Sequence, residues 1–247
     1  MSGRWILALL AALSAGHAGA QDAVWIGRFD APSAVPPPPW RVVQLDPGVP
    51  PTLYRVRLWD GVTAVEADAD RSMALLARPI EFDLRPTPVL CWRWRIDAPL
   101  KTADMTRRSG DDFAARVYVA FKMPSEDMDL VTRLKLGVAR GIWGDALPDA
   151  ALNYVWDNRP AQGTRRRNAY TDRAEMIVVR SGAAQADGWV QERRDVLADA
   201  RQAFRSDRLS ATLLAVATDT DNTGERARAG FAHLHFVPRD QPCVDAK

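Results

Sequence analysis

The segment Leu90-Cys91-Trp92-Arg93-Trp94-Arg95-Ile96 alternates large apolar residues with small or charged ones, a period that only an extended chain with one buried face satisfies. Leu90, Trp92, Trp94 and Ile96 share one face, so two tryptophans stand side by side against a core, while Cys91, Arg93 and Arg95 share the other. Ala115, Val117, Val119 and Phe121 repeat the pattern opposite Arg116 and Tyr118. Similar runs predict strands at 25–29, 54–59, 62–69, 75–82, 152–156, 175–180, 189–196, 209–218 and 227–237. Strands this numerous, separated by proline, glycine and aspartate turns, predict an all-β-dominated chain folded as an antiparallel β-sandwich or jelly roll.

Two segments leave that period. Leu130, Leu134, Val138 and Ile142 recur every four residues, which predicts one inserted helix over 129–142, and a shorter helical turn is expected at 197–204. Pro36-Pro37-Pro38-Pro39 reads as an extended connector into the domain. With no internal repeat and no dividing linker, the expected organisation is an N-terminal strand and proline-rich entry at 21–40, one sandwich domain at 41–238 and a tail at 239–247.

Residues 1–20 read as a secretory leader: Arg4 supplies the positive end, Trp5 to Leu13 an apolar run, and Ala18-Gly19-Ala20 a small-residue cleavage site. The run is too short for a membrane span, which needs roughly 20 apolar residues, and no later run approaches that length. The expected location is periplasmic or secreted. The charge balance, 33 Lys and Arg against 31 Asp and Glu, offers no field for nucleic acid. Nearly all the basic residues are arginine; its fork suits acidic sugars or phosphates, and codon usage explains the same excess. An oxidising compartment permits a disulfide between the two cysteines, Cys91 in a strand and Cys243 in the tail, and such a bond would pin the tail to the sheet.

The chain carries no Gly-x-Ser-x-Gly elbow, no His-Glu-x-x-His helix, no Walker loop and no dinucleotide fingerprint. His233 and His235, two apart on a strand, would point the same way, but a metal pair needs a third ligand and a supporting shell. Oxygen chemistry is better represented. In Asp219-Thr220-Asp221-Asn222-Thr223-Gly224 the alternate residues Asp219, Asp221 and Thr223 follow the opening rhythm of a calcium loop. The twelfth position falls on Gly230 rather than glutamate, so any Ca²⁺ held by Asp219, Asp221 and Thr223 must borrow ligands from elsewhere.

Those lenders would be the other acidic turns. Gly110-Asp111-Asp112 precedes one strand, Asp157-Asn158 follows another, and Asp172 precedes a third. Alternate strand ends share a rim in an antiparallel sheet, so such turns can converge into a calcium cage or a carboxylate pair, while in isolation each simply closes its own backbone. Trp143 and Tyr170 are the exposed aromatic candidates for stacking on a sugar. Arg165-Arg166-Arg167, in the same connection as Tyr170, reads as a solvated loop.

Five blocks taken together are specific: Pro39-Trp40-Arg41, Val89 to Arg95, Gly110 to Tyr118, Asn153 to Asn158, and Thr218 to Gly224. Their order from about Phe29 to Phe236 resembles the bacterial domain-of-unknown-function family 3047. That resemblance implies an exported protein and a sandwich like those of carbohydrate-binding modules, and it carries no established activity. The chain departs from the family's Trp-Arg-Trp strand at Cys91, which sets the disulfide apart as a feature of this protein.

The expected function is non-catalytic binding of a glycan or cell-envelope saccharide at an acidic rim. Asp111, Asp112, Asp157 and Asn158 would hydrogen-bond the ligand, Arg116 would orient the carboxylates, and Tyr154, Asp172 and Asn222 complete the candidate site. Two other readings stay open: a glycan hydrolase or lyase using paired aspartates, and a structural envelope protein with no ligand.

Overall fold

The computed structural model describes residues 23–128, 133 and 148–245. The leader expected at 1–20, the helix expected at 129–142 (apart from Arg133) and Trp143 lie outside the described residues.

Two sheets form the protein. In chain order the strands are β1 (Val24–Gly27), β2 (Arg41–Val43), β3 (Leu53–Trp59), β4 (Val62–Asp70), β5 (Leu75–Pro79), β6 (Val89–Ile96), β7 (Ala115–Lys122), β8 (Ala150–Asp157), β9 (Arg165–Arg167), β10 (Ala174–Ser181), β11 (Val190–Asp195), β12 (Ser210–Ala217) and β13 (Arg226–Val237), with helix α1 (Val196–Phe204) between β11 and β12. One sheet runs β11-β6-β13-β4-β3 with β1 also paired to β13, and the other runs β2-β5-β12-β7-β8-β10-β9. Every pair is antiparallel except β8 with β10. The chain leaves β8, lands two places away as β9, and returns as β10 to fill the gap, so β10 runs alongside β8 rather than against it.

The alternation read from β6 and β7 is what builds the interior. Trp92 and Trp94 are fully buried with ring centroids 5.4 Å apart and nearly perpendicular, and Trp94 in turn meets Trp156 of β8. Val117, Val119 and Phe121 face them from the opposite sheet. Helix α1 closes one end of this layer through Val196, Ala200, Ala203 and Phe204. Asp195 caps it by accepting from the Ala198 amide at 2.8 Å, and Arg205 ends it in the left-handed region. The β3–β4 hairpin turns on Asp60-Gly61, both at positive φ, which is the pair that suits strands with a right-handed twist.

Two expectations change. Arg165–Arg167 is not a solvated loop but the edge strand β9: Arg165 pairs with Glu175 at 3.1 Å and with Asp199 at 2.8 Å. Tyr154 is fully buried between the sheets, stacked near Trp92, and its hydroxyl donates to Asp199 at 3.0 Å. His233 sits in a bulge of β13, at a φ of 55° where the register shifts between Ala232 and His235, and both histidine rings lie against Trp25, with centroids 6.3 and 4.5 Å from it.

Cys91 and Cys243 are joined by a disulfide that ties the tail to the outer face of β6. His235 reinforces it: Nδ1 donates to the His233 carbonyl at 2.6 Å and Nε2 accepts from the Val244 amide at 2.9 Å. The Val244 contact requires the neutral ring, and burial lowers its proton affinity below the ordinary histidine value of about 6.5, against the pull of the His233 carbonyl. The unfolded chain therefore takes up a proton before the native one does, and stability falls as pH drops through about 6.5 toward the depressed native value. Urea midpoints measured at about pH 7.5 and 5.5 are expected to drop less in His235→Asn than in the parent; equal slopes would remove His235 as a source of the pH dependence.

Candidate functional site

The outer face of the seven-stranded sheet carries a cleft of about 430 Å³. Its floor is the outward side of β7 and β8. Arg116 and Tyr118 point outward because Val117 and Val119 point in, and Asn153 lies opposite Tyr118 in the β7–β8 register. Leu45, Val49, Asn168, Tyr170 and Thr171 also line the cleft, and Asp111, Asp219, Asp221 and Asn222 reach in from the turns.

Two turns bring the acids together. Before β7, a single 3-10 turn at Arg108–Gly110 folds back so that the Asp104 amide donates to the Gly110 carbonyl at 2.8 Å. A side chain at Gly110 would lie 2.8 Å from that amide nitrogen, so the approach requires glycine. After β12, the turn of residues 218–224 is held from three sides. Thr218 donates to the Ala114 carbonyl, Thr52 donates to the Thr218 carbonyl, and the Thr220 amide donates to the Ser72 carbonyl. Because β7 and β12 are antiparallel neighbours, the start of one meets the end of the other, and the two turns interlock.

The interlock is polar and mostly buried. Arg116 reaches Asp219 with Nε at 2.8 Å and with Nη2, which also donates to the Asp111 carbonyl. Asp112 accepts from the Asn222 amide group at 3.0 Å, from the Thr223 backbone amide at 2.6 Å and from the Thr223 hydroxyl at 2.8 Å. Asn168 donates to Asp111 at 2.7 Å, and the Tyr170 hydroxyl donates to the Asn222 carbonyl oxygen at 2.7 Å.

Burial pushes the Asp219 carboxyl up to about 8, against the pull of Arg116 and with the help of Asp112. Burial and Asp112 also raise Asp221. The Tyr170 phenol is raised by burial and by Asp111, Asp221 and Asp112. Asp111 Oδ1, Asn153 Oδ1 and Asp221 Oδ1 are buried acceptors with no hydrogen-bond partner among the described residues, and all three residues line the cleft.

Placement of the candidates follows. Asp111, Arg116, Asp219, Asp221 and Asn222 line one cleft, with Asp112 directly behind Asn222 and Thr223. Thr223 turns its hydroxyl to Asp112. Asp157 is buried beside the cleft, where burial raises its carboxyl and Arg116 draws it back. Asn158 instead braces the connection between β6 and β7, donating to the Ala103 carbonyl at 3.0 Å. Asp172 is exposed outside the cleft lining, and Tyr154 belongs to the opposite face of β8. Tyr118, Asn153 and Asn168 were missed. Period two marks Tyr118 and Asn153 as outward positions, but only the strand register puts them next to each other.

A two-sheet sandwich bearing an acidic cleft on one outer face is the class that fold and geometry define. The chain belongs to the family described as protein of unknown function (DUF3047), whose model matches residues 38–235. No curated protein matches the chain.

Proposed function

We propose that this protein is an exported, non-catalytic binding protein whose cleft takes a saccharide of the cell envelope. The observation that carries the reading is the set of buried, unpartnered acceptor oxygens on Asp111, Asn153 and Asp221 within one cleft. Buried acceptors without donors are costly, by about 1–3 kcal/mol each. A polyol offers neighbouring hydroxyl donors on a rigid ring. Tyr170, 52% exposed, offers a flat face for the apolar side of that ring, and Leu45 and Val49 line the same cleft. A cleft of about 430 Å³ is within the size range of small-ligand sites.

The carboxylate geometry favours binding over hydrolysis. Oxygens of Asp112, Asp219 and Asp221 lie within 4.8 Å of one another. Paired glycosidase carboxyls stand roughly 5–9.5 Å apart to admit the bond or a water. Asp112 is also held by three donors and Asp219 by the Arg116 fork, so neither is free to pivot toward a glycosidic oxygen.

Glycan-array screening followed by calorimetry on the best hit tests the reading. Tyr170→Ala is expected to weaken binding about tenfold, the equivalent of a lost ring-stacking contact, with an unchanged melting temperature because the ring is half exposed. Saccharide binding that survives both Tyr170→Ala and Asn153→Ala intact, or hydrolysis of the bound glycan, would reject it.

A further inference from the structure

We propose that Asp112, Asp219 and Asp221 form a calcium site, with Asp111 as a contributing acceptor at its edge. The three carboxylates offer oxygens within 4.8 Å of one another, the spread that ligands at Ca–O distances of about 2.3–2.6 Å adopt around one ion. They come from two chain segments more than a hundred residues apart, and the interlocked turns hold them in place without any ion.

A second observation is independent of that clustering. Asp111 is 5% exposed and its Oδ1 has no partner among the described residues, although Oδ2 accepts from Asn168. It lines the same cleft as Asp219 and Asp221, and Asp221 Oδ1 is likewise buried and unpartnered. Asp111 Oδ1 and Asp221 Oδ1 are thus two buried acceptors, without partners among the described residues, in the lining of one cleft.

Charge argues in the same direction. Asp111, Asp112, Asp219 and Asp221 are four carboxyls beside one guanidinium, Arg116, whose Nε and Nη2 are committed to Asp219 and the Asp111 carbonyl and whose Nη1 lies 3.8 Å from Asp111 Oδ2. Arg108 sits over the Tyr170 ring, on the rim. A surplus of negative charge in a low-dielectric site is stabilised by a cation. Oxygen-only donors select a hard ion, and carboxylates fixed by turns in irregular directions suit the flexible coordination of Ca²⁺ better than the near-octahedral demand of Mg²⁺.

The assignment changes the role of Thr223. Its hydroxyl and amide both donate to Asp112 Oδ2, so it positions a ligand instead of being one, and Asn222 does the same at Oδ1. The third ligand is supplied by Asp112 from the turn before β7. The site needs no saccharide, so its test stands apart from that of the glycan reading.

Calorimetry of the chelator-treated, dialysed protein with CaCl₂ is expected to give one ion bound per chain, and Ca²⁺ is expected to raise the melting temperature as mass action requires. Asp221→Asn, at a half-buried position that tolerates the change, should weaken Ca²⁺ by about tenfold or more, as loss of a ligand charge does. Asp112→Asn should do the same, and Asp172→Asn should not. Absence of saturable Ca²⁺ binding at millimolar ion, binding of Mg²⁺ as tight as Ca²⁺, or affinity unchanged in both Asp221→Asn and Asp112→Asn would overturn the proposal. Because Asp221→Asn leaves the buried pair intact, a failure of Asp112→Asn to fold does not remove the test.

Discussion

Replacing Arg116 by methionine is expected to destabilise the protein by about 3–5 kcal/mol, the cost of leaving a buried carboxylate without its partner. Arg116 is 4% exposed and Asp219 1%, so solvent cannot take over the guanidinium's role. Asp219 would lose the Nε and Nη2 contacts together, and the Asp111 carbonyl would lose its donor. Urea denaturation of the parent, Arg116→Met and the Arg116→Met/Asp219→Leu double variant resolves the effect. The double variant should recover much of the loss, because removing both charges also removes their desolvation. A single-variant loss below about 1 kcal/mol would show that the pair contributes little to holding the two turns together.

Loss of the Cys91–Cys243 bond is expected to be comparably large. It closes a sequence separation of 152 residues. In the chain-entropy model such a loop lowers the stability of the unfolded state by about 5 kcal/mol, with bridges commonly delivering about 2–4. Urea midpoints of the parent and of Cys91→Ala/Cys243→Ala should therefore separate clearly, and reductant should shift the parent alone. A midpoint unchanged in the double variant would mean that the tail contributes no restraint, despite the His235 contact to Val244.

The strands were legible because alternation is a local property. Trp92 and Trp94, or Val117 and Val119, declare their face within a few residues of chain, and the structure places them in one core. Strand β9 was not legible. Three arginines carry no apolar signal, and what makes them a strand is the free edge of β10 together with Glu175 and Asp199 as partners. The bulge at His233 was not legible either: it adds a residue to the count of β13, and nothing nearby in sequence announces it.

The site divides in the same way. The acidic turns could be named one by one, since Asp, Asn and Gly beside strand ends are local signals. Their meeting could not. Asp111 and Asp112 join Asp219 and Asp221 because β7 lies beside β12, whereas Asp172 is exposed outside the cleft although its neighbours Tyr170 and Thr171 line it. Tyr154 lies near the polar turns in sequence, which makes it a candidate, yet it takes the core side with Trp156.

The sequence by itself determined a two-faced β-rich chain, its apolar layer, its cysteine pair as candidates for a bond, and a supply of carboxylates at turns. Only the tertiary structure decided which carboxylates share a cleft, that Thr223 serves Asp112, and that Arg116 binds the two turns through Asp219. The physical reason is range. Side-chain periodicity is set by backbone geometry over a few residues, whereas strand order and register are set by packing between segments far apart in the chain, and the cleft is made entirely of such pairings.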